Sequence, residues 1–243
     1  MNLSARPSPA RPLAPEELDR DDLLRRLDET GVALTPPLLT REQCARIAAT
    51  FEEPDLFRST VVMQRHGFGR GTYKYFADPA TVPVVAQLRE RLYPVVAWMA
   101  NQWAPKLKER TFPETLRELL DECAAGGQRR PTPLLLRYDR GDYACLHQDV
   151  YGDIVFPLQV AIMLNEPGED FTGGENVFVE QRPRSQSRAV VVRPGLGQAM
   201  VFPVRHRPVR GTHGFRRHPV RHGTNAVESG RRTVLGLIFH DAR

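Results

Sequence analysis

The spacing of apolar residues changes period near residue 130. Before that point they recur at helical spacing. Leu23, Leu24 and Leu27 share one face of a segment that Pro15-Glu16-Glu17 opens and Gly31 closes. Proline and acids at the start and glycine past the end suit helix termini. Thr40-Arg-Glu-Gln43 reads as a capping box and predicts a second helix through Phe51. Pro83 to Asn101 predicts a long apolar helix carrying Leu88, Leu92, Val95, Val96 and Met99, kinked at Pro94, and Pro113 to Ala124 a third major helix. Between these, Gly31-Val-Ala-Leu34 reads as a first strand. Residues 58–76 read as a hairpin whose tip, Gly67-x-Gly69-x-Gly71, permits tight backbone turns.

From residue 132 onward short apolar bursts alternate with turn residues and no helix is evident. Strands are predicted at 132–138, 143–149, 155–164, 175–181, 188–193, 198–203, 219–223 and 232–240. About eight antiparallel strands in one domain predict a double-sheet jelly roll. The expected fold is therefore α+β, mainly β: a double-stranded β-helix with an N-terminal helical support region. Residues 1–14, rich in proline, form a disordered lead; 15–130 form the support region, with hairpin 58–76; 131–243 form the core, integrated with 15–130 into one domain. No internal repeat is present.

Composition changes this picture little. A hydrophobic share of 41% with 26% charged residues is ordinary for a globular chain of 243 residues. No apolar run approaches the roughly 18 residues of a membrane helix, and the N-terminus lacks the apolar core of a secretory signal. Cys44, Cys123 and Cys145 are odd in number and scattered, which suits reduced thiols in a cytoplasmic protein. Charge matters more. Twelve arginines against one acid, Glu228, give residues 182–232 a net +11, so the rest of a chain at +5 overall carries −6. A basic strip of this kind suits a phosphate-bearing partner. The plainer reading is a general arginine bias, since the chain has only three lysines, Lys74, Lys106 and Lys108.

Candidate chemistry centres on His147-Gln148-Asp149. On a strand, residues i and i+2 face the same way, so His147 and Asp149 would project together. With a third ligand from elsewhere they would make a two-histidine, one-carboxylate facial site that leaves coordination positions open. His222 supplies that ligand, lying ten residues before Arg232 and just before a glycine turn; His218 is the runner-up in a stretch that also holds His206 and His213. Gln148 would face away, and Cys145 would be a small buried filler.

Four features stack in order: a strand into His147-x-Asp149, the turn Asp170-Phe-Thr-Gly-Gly-Glu175, His222, and Arg232 opening Thr233-Val-Leu-Gly-Leu-Ile-Phe-His240. Over residues 130–243 that order resembles the iron(II)/2-oxoglutarate dioxygenases, in particular the prolyl-hydroxylase-like branch. The whole chain is similar to a bacterial family of such oxygenases, sharing Leu-Leu-Leu-Arg137-Tyr-x-x-Gly141-Asp-Tyr143, Phe156-Pro-Leu-Gln-Val, Gln181-Arg-Pro-Arg and Gly236-Leu-Ile-Phe-His-Asp241. The proposed role of that family is oxidative demethylation of damaged nucleic acid.

The resemblance implies Fe(2+) on His147, Asp149 and His222, with 2-oxoglutarate and O2 in the open positions. It implies an arginine fork for the far carboxylate of 2-oxoglutarate. Arg232 is favoured, although a one-residue slip would substitute Arg231. Tyr138 or Tyr143 would donate a hydrogen bond to the same cosubstrate. Oxidation of an N-methyl group would release formaldehyde. Interleaved cations and aromatics suggest substrate contacts at Arg65, Arg70, Tyr73 and Lys74, and at Arg182 and Arg184, equally readable as solvated loops. One departure stands out: Arg231 and Arg232 are adjacent, whereas the better-known repair demethylases space two arginines after the distal histidine. Alternatives are a prolyl-type protein hydroxylase, a small-molecule hydroxylase and a catalytically inert jelly-roll binding module. No pattern marks an interface between copies.

Overall fold

The computed structural model describes residues 12–182 and 185–243. The expected lead lies outside the described residues through residue 11, and so does Arg184. A 3-10 turn, Pro15–Glu17, precedes helix α1 (Arg20–Thr30). Asp19, not Pro15, starts α1: its carboxylate accepts a hydrogen bond from Asp22 N at 3.0 Å. Strand β1 (Ala33–Pro37) leads to α2 (Arg41–Ala49), where Thr40 and Gln43 cap each other at 3.1 and 2.9 Å. Strands β2 (Phe57–Val62), β3 (Gly69–Arg70) and β4 (Thr72–Phe76) follow. Helix α3 (Pro83–Leu107) continues past Asn101, and α4 (Leu116–Ala125) begins at a Thr115 capping box rather than at Pro113.

The strand-rich half comprises β5 (Leu134–Tyr138), β6 (Tyr143–His147), β7 (Leu158–Met163), β8 (Phe171–Gly173), β9 (Asn176–Glu180) and β10 (Arg188–Val192). It ends with β11 (Gln198–Pro203), β12 (His206–Gly211), β13 (Gly214–Thr224), β14 (Val227–Gly230) and β15 (Arg232–Leu237). Among the described residues these form a seven-stranded sheet, β1-β11-β7-β15-β5-β4-β2, and a six-stranded sheet, β10-β9-β13-β6-β3 with β12 joined to β13. All pairings are antiparallel, and the two sheets make a jelly roll. The support region thus supplies strands to both sheets as well as helices.

The larger sheet is buried on both faces, which is why its central strands read as continuous apolar runs. Leu135, Ile162, Leu235 and Leu237 pack outward against Leu92, Val96, Met99 and Trp103 of α3. Met163, Phe171, Val227 and Val234 pack inward with Tyr138. Strands β8, β12 and β14 were not predicted. They are short or rich in charge, glycine and proline, and β12 is a ribbon on β13 rather than half of a buried layer. No helix among the described residues is long and apolar enough to cross a membrane.

Candidate metal centre and cavity

The facing sheets enclose a cavity of about 400 Å³. Alternate residues line it, as the pleat requires: Leu134, Leu136 and Tyr138 from β5, Arg232, Val234 and Gly236 from β15, and Met200 and Phe202 from β11. His147, Asp149 and His222 stand in the same wall.

These three do not arise from simple alternation, which corrects the expectation that one strand carries both His147 and Asp149. β6 ends at His147, and Asp149 lies in the segment beyond it. β6 is also bulged: His147 faces His222 while Ala144 faces Thr224, so three steps on β6 match two on β13. A bulge re-aims side chains, and here it turns His147 beside His222. Gly223 makes room for it, since a Cβ there would lie 2.7 Å from Ala144 O. Beyond the strand, side chains hold the backbone in place of a ladder. Gln148 Nε2 donates to Arg205 O (2.6 Å) and Val220 O (2.9 Å). Buried Gln128 accepts from the N–H groups of Asp153 and Ile154 and donates to Tyr151 O, Ile154 O and Asp241 O. Nothing in the pattern around Gln128 gave this role away.

One ligand atom from each of His147, Asp149 and His222 falls within 4.8 Å of the others. His222 Nε2 is 3.2 Å from Asp149 Oδ2, and His147 Nε2 is 3.5 Å from Asp149 Oδ1. His147 Nδ1 donates to Cys145 O at 2.7 Å, which leaves its Nε2 lone pair toward the cluster in the neutral tautomer. Burial, then the neighbouring His222, lowers the His147 pKa and favours that neutral form. Burial alone would raise the Asp149 carboxyl; the hydrogen bond from His222 and the charges of both histidines outweigh it and hold Asp149 below the usual carboxylate range. A divalent iron site requires imidazole lone pairs and an ionised carboxylate, and the shifts of His147 and Asp149 run in that direction.

Tyr151, unremarked in the sequence, completes the cluster. Its hydroxyl donates to Asp149 Oδ1 at 3.1 Å and accepts from Tyr75 Oη at 2.8 Å. Burial raises both phenols, so each stays a donor.

Arg232 is 1% exposed, and among the described residues no acid pairs with it. One guanidinium nitrogen donates to Asn176 Oδ1 at 2.7 Å, the group sits 5.2 Å from the Tyr138 ring, and buried Nε has no partner. Burial pulls its pKa down to about 10. Gly174 admits the side chain: a Cβ there would lie 2.9 Å from Arg232 Cδ. A buried cation with an orphaned donor fits an anionic ligand entering this cavity. Arg231 points outward to Asp139 at 2.7 Å. Tyr138 is buried in the cavity wall, and burial pushes its pKa up to about 12. Tyr143, the alternative phenol, is exposed and is absent from that wall.

Other candidates separate. His218 Nδ1 is bound to Glu180 at 2.9 Å and His206 Nε2 to Glu109 at 2.8 Å, outside the cavity. Tyr73 lines the cavity. Lys74 does not: its Nζ donates to Phe51 O at 2.7 Å on the helix side of the sheet. Arg182 pairs with Glu180, away from the cavity. Cys145 is an exposed thiol in the cavity wall rather than a buried filler. The basic strip is broken up in space. Arg182, Arg193, Arg207, Arg217 and Arg231 pair with acids, and Arg207 is buried on Glu180. Among the described residues, the strip's members without an acid partner are Arg188 on β10, Arg232 in the cavity, and Arg205, Arg210, Arg216 and Arg221 on the β12–β13 hairpin and its ends.

Comparison with known proteins agrees with this geometry. Residues 71–242 match the model of a family described as an oxygenase catalysing oxidative methylation of damaged DNA. The chain belongs to this oxygenase family. An uncharacterized protein of Mycobacterium tuberculosis is 48% identical over 160 residues, covering 65% of this chain and 69% of that protein. A Burkholderia pseudomallei oxidoreductase of the 2OG-Fe(II) oxygenase family superposes with a TM-score of 0.54 at 19% identity, covering 96% and 95% of the two chains. A Pseudomonas putida prolyl-4-hydroxylase gives 0.52 at 15%, covering 92% and 99%. At such identities the structural likeness concerns the fold. The protein is thus an oxidoreductase on a jelly-roll frame.

Proposed function

We propose that this oxygenase is an iron(II)- and 2-oxoglutarate-dependent dioxygenase that removes N-methyl groups from nucleic acid. The observation that carries the reading is the pairing, in one cavity, of a two-histidine, one-carboxylate cluster with a buried guanidinium that has no acid partner among the described residues. His147, Asp149 and His222 would hold the iron. Arg232 would grip the far carboxylate of 2-oxoglutarate, and Tyr138, beside it, would donate a hydrogen bond to the same cosubstrate. Bound iron with 2-oxoglutarate and O2 supplies the oxidation of a substrate C–H bond. The apolar walls from β5, β11 and β15 keep water from the reacting atoms. A hydroxylated N-methyl group collapses to formaldehyde and the unmethylated nitrogen. Support for nucleic acid comes from the family description and from the unpaired arginines of the β12–β13 hairpin. Three free thiols suit work in the cytoplasm.

The test is an anaerobic titration with iron(II) and 2-oxoglutarate, following the visible charge-transfer band of the ternary complex. Wild type and His218→Ala should develop the band, and His222→Ala should not. A band that survives His222→Ala removes this ligand set. Formaldehyde release from a methylated oligonucleotide, against oxygen gain on a peptide, then separates demethylase from protein hydroxylase.

A further inference from the structure

Large apolar side chains that gather in the open mark a partner. Among the described residues six are exposed, and four of these, Phe68, Tyr143, Leu146 and Val150, fall on β6, its continuation and the turn that pairs with it. Phe68 and Leu146 are 50% and 43% exposed, yet both also line the cavity. They form its rim. The remaining two, Val191 and Phe215, lie on β10 and at the start of β13.

The rim is fixed in place. Phe68 O accepts from Cys145 N at 2.9 Å and Phe68 N donates to Met63 O at 3.2 Å, so the backbone that carries this ring is tied to β6 and to the start of its own turn. The His66 ring stacks on it, centroids 5.3 Å apart and planes 23° from parallel. Leu146 stands at the β6 bulge, one residue before His147. Cations flank these groups. Arg70 faces Tyr143 across the β3–β6 pairing, and neither Arg70 nor Arg65 has an acid partner among the described residues.

Resting on the nucleic-acid reading above, we propose that this rim is a stacking platform for single-stranded nucleic acid. An unpaired base lies on Phe68 and Leu146, Arg65 and Arg70 meet the flanking phosphates, and the neighbouring nucleotide enters the cavity. Aromatic platforms with adjacent cations bind single strands because every unstacked base offers an open π face. In a duplex those faces are covered. A paired base also cannot reach the cluster, where the Asp149 and His222 side chains are each only 15% exposed.

The experiment is fluorescence anisotropy on the full chain, loaded anaerobically with iron(II) and 2-oxoglutarate. The probes are a labelled 12-mer as single strand, the same 12-mer annealed as a blunt duplex, and an acidic peptide. The single strand should bind tighter than the duplex. Phe68→Ala should weaken the single strand about tenfold or more and leave the salt slope unchanged. Arg65→Ala with Arg70→Ala should reduce that slope by about 1.4, the value for two phosphates on a single strand. Val191→Ala, an exposed apolar side chain on β10, should bind as wild type. Equal binding of strand and duplex with no effect of Phe68→Ala overturns the platform and leaves the nucleic-acid reading standing. Binding of neither by protein that still takes up 2-oxoglutarate overturns both. Phe68-dependent capture of the peptide in that case assigns the rim to protein.

Discussion

Replacing Arg232 by methionine should move stability and binding in opposite directions. Arg232 is 1% exposed, and burial lowers its pKa from 12.5 to about 10. That shift corresponds to about 3 kcal/mol of destabilised charge. The hydrogen bond to Asn176 and the contact with the Tyr138 ring each return about 1 kcal/mol. Methionine has similar reach and no charge to desolvate, so Arg232→Met should stabilise the ligand-free protein by about 1 kcal/mol. For a chain of this size the Tm should rise by about 2–4 °C. With 2-oxoglutarate the order reverses. Truncating one partner of a buried, hydrogen-bonded charge pair costs about 2–5 kcal/mol, a loss of roughly 30- to 5,000-fold in affinity. Wild type in 2-oxoglutarate at a hundred times Kd gains about 2.7 kcal/mol; at the same concentration the variant gains about 0.9 kcal/mol for a roughly 30-fold loss and nothing measurable for a roughly 5,000-fold loss. The assay is thermal unfolding with anaerobic metal, with and without 2-oxoglutarate, together with calorimetric titration of the cosubstrate. A variant that is less stable without ligand, or whose Tm climbs as far as wild type's with 2-oxoglutarate, would refute the assignment of Arg232 as a buried cation awaiting a carboxylate.

Three further outcomes are expected. Tyr151→Phe removes the hydroxyl that holds Asp149 Oδ1 and so loosens the orientation of the carboxylate. Cobalt(II) affinity by calorimetry should fall about tenfold or more, with a changed visible d–d spectrum, and an unchanged spectrum would count against a role for Tyr151 in orienting Asp149. Gly223→Ala drives a Cβ to 2.7 Å from Ala144 O, opposite the β6 bulge, and should cost about 1–3 kcal/mol in urea unfolding along with metal affinity; full cobalt binding would show the bulge is not what places His147. His240 is fully buried, accepts from Phe156 N, and has its pKa pulled by burial from 6.5 down to about 4. The unfolded chain takes up that proton first, so this stability is present above pH 6.5 and is lost as pH falls from 6.5 toward 4. The loss should reach about 3 kcal/mol, and His240→Asn should flatten the urea-midpoint profile across that window.

The chain disclosed its site better than its frame, for a physical reason. The residue types able to hold a metal and an anionic cosubstrate are few, so order, spacing and the family resemblance pointed to His147, Asp149, His222 and Arg232, and the structure brings these four to one cavity. Arg232 shares the inward face of β15 with Val234 and Gly236, as the period-2 rule expects, while Arg231 meets Asp139 outside. Pattern failed where tertiary contacts replace a repeating environment. The β12–β13 ribbon has no buried layer to impose alternation, so β12 and the first residues of β13 went unread and their histidines looked like rival ligands. Their carboxylate partners, Glu180 and Glu109, lie 38 and 97 residues away in sequence.

The same limit applies at the centre of the site. His147 and Asp149 reach one cluster not because a regular strand sets both, but because a bulge admitted by Gly223 turns one and a loop tied by Gln128 and Gln148 carries the other. A regular strand would fix the two side chains rigidly to each other. Here separate supports act on the two ligands, and the Tyr75–Tyr151 pair bears on Asp149 alone. Substitutions at Gly223 and at Tyr151 therefore perturb the cluster through different ligands. Their effects on metal affinity should nevertheless be coupled when combined, because His147 stands 3.5 Å from the Asp149 oxygen that Tyr151 binds and both ligands would hold one ion. A double-mutant cycle in cobalt(II) affinity measures that coupling, and strict additivity would show that the two ligands do not act together.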